Sequence, residues 1–401
     1  MVKFNTNQRL CIDVTRLVRR QWQQLMPTGI DRLVLSYIQY YQDTAHAVFY
    51  YLGKCWIFPT AGSKKLFSLL LSGTSKRTLF ASLIAGIIAD LIKRKKNGRI
   101  LLALGHSNLE KKRYIKSIKR LKLEPIFFIH DLIPITHPEY CRFSEKQKHT
   151  LRIIHALSLA KHIIVNSEVT QKGLLDFAGP IQNEPPLITV AHLGSELFIR
   201  NMQRDSDVIC AVESALKKQV QTPYFVVLGT IEPRKNHLLL LHVWVRLIET
   251  MGQCAPRLFI IGRRGWECEH VTRMLDRCSL FQGFIFEWNQ CTDEQLLECL
   301  RGSQALLFPS FVEGYGLPLV EALAMGIPVI ASSIPVFKEL AANIPEYIEP
   351  IDAIQWLSII TDYTSADSLL RKAQLERLAG YKAPTWANHF IAVDKLLRSI
   401  A

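Results

Sequence analysis

Short apolar runs alternate with helix-period patterns along almost the whole chain, the arrangement of βαβ units and parallel sheets. In the first half, Leu10–Val14, Ile100–Leu104, Ile126–Ile129, His162–Val165 and Leu187–Ala191 read as strands, and 30–41, 109–121, 144–159 and 168–177 as helices. A polar stretch over 196–222 reads as a linker. In the second half, strands at Tyr224–Leu228, Leu258–Ile261, Phe284–Phe286, Ala305–Phe308 and Pro328–Ala331 alternate with helices near 235–249, 267–278, 293–301, 317–325 and 335–341. The expected fold class is α/β: two doubly wound, Rossmann-like domains facing one another across a cleft. They cover 1–200 and 201–380, and a last helix within 381–401, after Pro384, packs back on the first domain. Ligands are expected at the carboxyl ends of the strands.

Segment 66–96 breaks the alternation. Leu79 to Ile92 is an apolar run broken by Asp90, and Lys93-Arg94-Lys95-Lys96 follows directly. The run is too short to span a bilayer. It reads instead as an amphipathic helix with a basic end, which suits an anionic inner-membrane surface. Lys111, Lys112, Arg113, Lys116, Lys119, Arg120 and Lys122 add a second basic stretch. The formal charge of +14 is uneven: residues 1–200 hold 30 Lys and Arg against 13 Asp and Glu, and the remainder 19 against 22. The first half is therefore expected to meet something acidic. Nine cysteines, with no C-x-x-C pair, fit reduced thiols in a cytoplasmic protein, and the N-terminus lacks a signal peptide's apolar core.

Two junctions carry chemistry. After the strand ending at Phe308, a Gly-rich turn leads into a helix with Pro318 near its start, and Glu313 and Glu321 stand eight positions apart across it. Helix N-termini favour anions, and carboxylates accept hydrogen bonds from a diol. A sugar nucleotide offers both groups. Gly314 and Gly316 permit positive φ and close backbone approach. After the strand Tyr224–Leu228 comes Gly229-Thr230-Ile231-Glu232-Pro233-Arg234-Lys235-Asn236-His237, which sets two cations at a helix start. Positive charge there opposes the helix dipole, a conflict that a bound diphosphate would offset.

These junctions, with the segment Ile330–Glu339, resemble glycosyltransferase family 4, retaining enzymes of GT-B fold. The resemblance is strongest over 224–341. Earlier, Asp13 with Pro27-Thr28-Gly29-Ile30-Asp31-Arg32 resembles the family's first strand and the loop whose backbone faces the donor phosphate. Phe128-Ile129-His130-Asp131-Leu132-Ile133-Pro134 resembles its strand ending in a His near the transferred sugar. The resemblance implies Lys235 on the donor diphosphate, with Gly229, Thr230 and Arg234 beside it. It implies Glu313 and the Gly314-Tyr315-Gly316-Leu317 backbone on the donor sugar and phosphate, and Glu321 on the ribose. His130 would be catalytic with Lys235 and Glu313, and Gly29 and Asp131 would line the substrate. Thr230 stands where many members carry Arg, so Arg234 or helix amides would supply the second charge. Asp31 is expected to cap the 30–41 helix and has no catalytic part.

The expected reaction is transfer with retention of configuration from a nucleoside-diphosphate sugar, GDP-mannose-like or UDP-linked, to a glycan or lipid-linked acceptor in cell-surface polysaccharide synthesis. No cofactor or metal is expected: the Asp-x-Asp run, Asp205-Ser206-Asp207, lies in the linker and reads as a helix cap. A sugar-nucleotide epimerase or hydrolase on the same scaffold is the alternative, although no catalytic carboxylate set is apparent. A nucleic-acid-binding protein would use the basic half, but no aromatic-basic motif or recognition helix accompanies it.

Overall fold

The computed structural model describes residues 10–25, 27–92, 99–181, 184–195 and 222–400. The Lys93–Lys96 run, Asp205-Ser206-Asp207, Cys210 and nearly all of the 196–222 linker lie outside the described residues. Contacts group the described residues into two units. The first comprises those up to Ile135, then Ser144–Leu193 and the helix Trp386–Ser399; the second comprises Thr136–Phe143 and the described residues from Gly194 to Thr385.

The first unit is built on seven strands: β1 (Cys11–Asp13), β2 (His46–Tyr51), β3 (Lys54–Ile57), β4 (Arg99–Ala103), β5 (Leu123–Ile129), β6 (His162–Val165) and β7 (Leu187–Val190). Their order is β3-β2-β1-β4-β5-β6-β7, parallel except for the β2–β3 hairpin. Residues 126–129 of β5 are sealed on both faces, which is why that strand reads as an unbroken apolar run. The hairpin and the helices Thr15–Trp22 and Thr60–Ser72 add to the expected elements. Leu52 and Gly53 both take positive φ, a two-residue turn of the kind that matches strand twist.

The helix Lys76–Ile92 corrects the amphipathic reading of this segment. Its buried side carries Leu79, Ser82, Leu83, Gly86 and Asp90, while Phe80, Ile84, Ile88, Leu91 and Ile92 are exposed. The helix is apolar on both faces. It lies so close to Phe58 that a Cβ on Gly86 would fall 2.2 Å from the ring.

The second unit holds β8 (Tyr224–Leu228), β9 (Arg257–Ile261), β10 (Ile285–Trp288), β11 (Leu306–Phe308), β12 (Val329–Ser332) and β13 (Glu346–Ile348), all parallel, in the order β10-β9-β8-β11-β12-β13. β13 and the helices Ala353–Thr364 and Leu369–Leu378 extend what the sequence pattern predicts. In both sheets the strand order reverses once, between β1 and β4 and between β8 and β11. Such switch points open a crevice at the carboxyl ends of the strands.

In the first unit the helix Trp386–Ser399 is tied down by polar contacts. His389 Nε2 meets the Tyr37 hydroxyl at 2.9 Å, and the hydroxyls of Tyr40 and Tyr41 donate to Asp394 at 2.9 and 2.6 Å. The Phe58–Gly86 contact gives a direct test of the packing. Gly86→Ala is expected to destabilise the protein by roughly 1–3 kcal/mol through overpacking against a sealed ring. Denaturant unfolding measures this, and a midpoint equal to the parent's would reject the close packing.

Candidate active site

The crevice between β8 and β11 gathers a charge cluster. β8 runs into Gly229 (φ 140°) and a 3₁₀ turn, Pro233–Lys235, so the cations sit before the helix His237–Met251 rather than within it. Asn236, left-handed at φ 57°, makes the bend, and its Nδ2 donates to the carbonyls of Pro309 (3.2 Å) and Pro350 (2.7 Å). This bend turns Lys235 inward. Its ammonium lies 4.6 Å from the centre of the Phe308 ring and 2.6 Å from Glu313 Oε1. A Cβ on Gly229 would come within 3.3 Å of the Lys235 stem, so glycine there leaves the lysine its path.

Arg234 bridges two carboxylates, Glu232 and Glu313, each at 2.5 Å. The loop after β11 is stitched to the same turn. Phe311 N–H donates to the Arg234 carbonyl at 2.8 Å, Arg234 Nη1 donates to the Val312 carbonyl at 3.3 Å, and Ser310 Oγ donates to Glu313 at 2.8 Å. The expected conflict between cations and helix dipole is thus met within the chain, by Glu232 and Glu313. Glu232, Ser310 and Asn236 had no expected role. Glu232 is visible in the motif, but only the 3₁₀ turn buries it.

Electrostatics follow from burial and pairing. Burial pushes the Glu313 carboxyl up, yet Arg234 and Lys235 outweigh it and hold the group down at about 2. Burial lowers Lys235 against the opposing pull of Glu313, and raises Glu232 despite Arg234 and Lys235. Glu313 is therefore ionised at neutral pH and poorly suited to take or give a proton.

Beyond Glu313, Gly314 and the buried Tyr315 lead to Gly316, whose φ of 116° caps the helix Leu317–Ala324. Glu321, the fifth residue of that helix, is buried. Thr230 is half-buried in the loop after β8. The loop also packs on the one after β9: a Cβ on Gly262 would fall 1.9 Å from the Gly229 carbonyl oxygen. Gly229, Arg234, Lys235 and Glu313 are thus brought together.

Gly29, His130 and Asp131 belong to the first unit. Gly29 opens the helix Gly29–Tyr41, whose cap is a reciprocal box between Thr28 and Asp31; Asp31 also pairs with Arg16 (3.2 Å) and Arg20 (2.6 Å). His130 ends β5 inside a histidine trio. Its ring centre lies 5.1 Å from that of His106, and His106 lies 4.9 Å from His149. His130 Nε2 donates to the Leu104 carbonyl at 2.8 Å, and its backbone N–H donates to His106 Nε2 at 3.2 Å. These bonds put the His130 ring proton on Nε2 and leave His106 Nε2 bare. His149 Nε2 donates to the Asp131 carbonyl at 3.0 Å, while Asp131 Oδ1 accepts from the Ile133 N–H at 3.1 Å. His106 and His149 stand 24 and 19 positions from His130, and no spacing rule joins them in sequence.

The two sheets define a fold class first, an α/β architecture of GT-B type. Residues 212–346 match the family model described as glycosyl transferases group 1. Several curated relatives that the chain matches are mannosyltransferases. The chain is 31% identical to the serotype-specific mannosyltransferase WbdA of Escherichia coli over 230 residues, covering 54% of this chain and 26% of that protein. It is 27% identical to O-antigen chain mannosyltransferase B of Escherichia coli, covering 65% of this chain and 66% of the relative. The chain thus spans about a quarter of the length of WbdA. Among solved structures, Anabaena HepE in complex with UDP-glucose superposes with a TM-score of 0.65 at 14% identity, covering 98% of this chain and 100% of that one.

Buried histidines give the fold an acid limit. Burial first of all lowers His130 and His389 to about 4 and His237 to about 3, from an ordinary 6.5. Between 6.5 and those values the unfolded chain binds protons that the folded chain does not, so stability falls as pH falls through this window. Denaturant midpoints should decrease steadily as pH drops below about 6.5. A flat profile down to about 4 would contradict neutral burial of these rings.

Proposed function

We propose that the protein is a retaining glycosyltransferase that moves a sugar from a nucleoside-diphosphate donor to a glycan or lipid-linked acceptor in polysaccharide synthesis. The observation that carries this reading is the Glu232–Arg234–Glu313–Lys235 cluster at the switch point of the second sheet. Donor binding falls to the second unit, and the acceptor to the first. A donor diphosphate takes over the cations that Glu313 engages here, with Arg234 offering a bidentate fork and Lys235 a point charge. Glu313, released towards the sugar, accepts from its hydroxyls, and Glu321 from the ribose. The Gly314–Leu317 backbone and the helix N-terminus beyond it face the phosphates.

As the donor bond breaks, charge grows on the leaving diphosphate, where Lys235 and Arg234 stabilise it. The acceptor hydroxyl attacks on the same face, and the departing phosphate oxygen takes its proton. His130, with its ring proton committed to Leu104, presents Nδ1 as a hydrogen-bond acceptor to a sugar hydroxyl. Two protein cations supply the charge that a divalent metal would otherwise bring. The competing hydrolase or epimerase needs a carboxylate base, and Glu313, held near 2 by its partners, is a poor one. The mannosyltransferase relatives favour a GDP-mannose-like donor, while the UDP-glucose complex of HepE keeps UDP-sugars in the panel.

A peripheral membrane site belongs to the same reading. Phe80, Ile84, Ile88 and Leu91 form one exposed stripe on the helix Lys76–Ile92, and the exposed Trp22 ring lies 6.0 Å from Phe80. Lys76 and Arg77 open that helix, and the sequence supplies four more cations after it. Apolar side chains flanked by cations fit the boundary layer of an anionic bilayer. Among the described residues no helix is long and apolar enough to cross a membrane.

Two measurements test these assignments. Acceptor-dependent release of nucleotide, assayed over GDP-mannose and UDP-sugars in excess chelator, should drop about 10²–10³-fold in Lys235→Ala. Unchanged turnover in that variant, or release indifferent to acceptor, would sink the transferase reading. Sedimentation with phosphatidylglycerol vesicles, but not phosphatidylcholine vesicles, should weaken about tenfold or more in Phe80→Ser/Ile88→Ser, since each buried side chain contributes roughly 1–2 kcal/mol. Equal partition of parent and variant would remove the membrane face.

A further inference from the structure

We infer that the first unit holds a phosphoryl-binding subsite, built from Arg19, Asn108 and Lys111 at the switch point between β1 and β4. The inference rests on the transferase reading and deepens it, because it makes the acceptor a phosphorylated molecule.

The helix Thr15–Trp22 leaves the carboxyl end of β1, and the loop 104–111 leaves that of β4. Arg19 Nη1 donates to Asn108 Oδ1 at 3.2 Å, and Lys111 Nζ donates to the same oxygen at 2.9 Å. Two cations thus share one neutral acceptor. Neither has a carboxylate within salt-bridge distance among the described residues. The contrast lies on the same helix, where Arg16 and Arg20 both reach Asp31. Of the nearby acids, Glu110 is paired with Arg152 at 3.0 Å. Asp13 accepts from the Thr15 N–H and the Tyr114 hydroxyl, and the Arg19 charge also acts on it.

Asn108 itself is 2% exposed, and its Nδ2 has no hydrogen-bond partner. Its orientation is not in question, because the oxygen must face the two cations. Asn108 also sits in the left-handed region at φ 72°, which asparagine adopts more readily than most residues. The next helix, Lys112–Arg120, begins without a side-chain cap and without an acid in its first turn. Its N-terminus therefore adds to the positive field.

Arg19 and Lys111 both donate to the Asn108 side-chain oxygen, while Asp13, on which the Arg19 charge acts, is taken up by Thr15 and Tyr114. Repelling charges gathered on one amide are a local conflict that a bound anion would relieve. A phosphate brings what is missing: two charges, and enough oxygens for an arginine fork, an ammonium and an amide N–H. Arg19 and Lys111 are both exposed, so such a ligand can reach them. A lipid diphosphate and a soluble sugar phosphate share this chemistry.

The test is calorimetric titration of the full chain with inorganic pyrophosphate. Two sites are expected. Lys235→Ala should lose one, and Asn108→Asp, whose carboxylate would compete with the ligand for the two cations, should weaken the other at least about tenfold. Asp tolerates the left-handed backbone, so the fold should survive. Arg19→Gln/Lys111→Gln alters surface side chains only and should weaken the same site at least about tenfold, guarding against misfolding of Asn108→Asp. If both sets of first-unit variants bind like the parent while Lys235→Ala loses its site, the subsite is overturned and the transferase reading stands. If Lys235→Ala loses nothing while Asn108→Asp does, the subsite stands and the donor site fails. With the subsite present, farnesyl diphosphate binding more tightly than pyrophosphate identifies a lipid source, and equal binding a soluble one.

Discussion

Glu313 is the side chain on which the site in the second unit depends. It closes a circuit in which two cations and two carboxylates, all largely withdrawn from water, satisfy one another at the reversal point of a parallel sheet. Removing charges from water is costly, and a buried cation without its partner is costlier still. The chain can therefore afford Lys235 in that position only because an anion is always present. Here that anion is Glu313; in the proposed function a donor diphosphate takes its place. A Glu313 displaced in this way would need new donors, which the hydroxyls of a bound sugar offer.

The circuit also explains the backbone around it. Lys235 faces inward because Asn236 adopts a left-handed bend anchored on two proline carbonyls. Gly229 leaves room for the lysine stem, and Ser310 and the Phe311 amide hold the opposite loop in register. The groups are positioned by main chain on the ends of two adjacent buried strands. Such preorganisation is what electrostatic stabilisation of a leaving group requires, since dipoles already in place need not reorganise.

Much of this was legible from sequence. Strands β8, β9, β11 and β12 announce themselves because parallel strands covered on both faces become unbroken apolar runs. The 229–237 and 308–331 junctions were visible because glycine and charge punctuate those runs. The β2–β3 hairpin was not, since Leu52-Gly53 lacks the usual turn signature and β2 mixes aromatic with polar positions. The helix Lys76–Ile92 was seen, but its sidedness was not. Its bulkiest side chains face outward because Phe58 demands Gly86 on the inner side. Glu232, His106 and His149 were missed for a common reason: each matters through neighbours distant in sequence or through a turn that propensity does not specify.

The two switch points invite comparison, because the chain treats their cations in opposite ways. In the second unit Arg234 and Lys235 are matched by carboxylates that the same two loops provide. In the first, Arg16 is matched by Asp31, whereas Arg19 and Lys111 converge on an amide. Composition follows the same division, with the surplus of positive charge lying in residues 1–200. A carboxylate held against a cation can be exchanged for a ligand's phosphate, so pairing is compatible with binding. An amide shared by two cations has nothing to exchange; it can only be relieved. Physically, the first arrangement suits a donor whose anion leaves and is replaced in each cycle. The second suits an acceptor whose charge stays bound to it while a hydroxyl elsewhere on the molecule reacts.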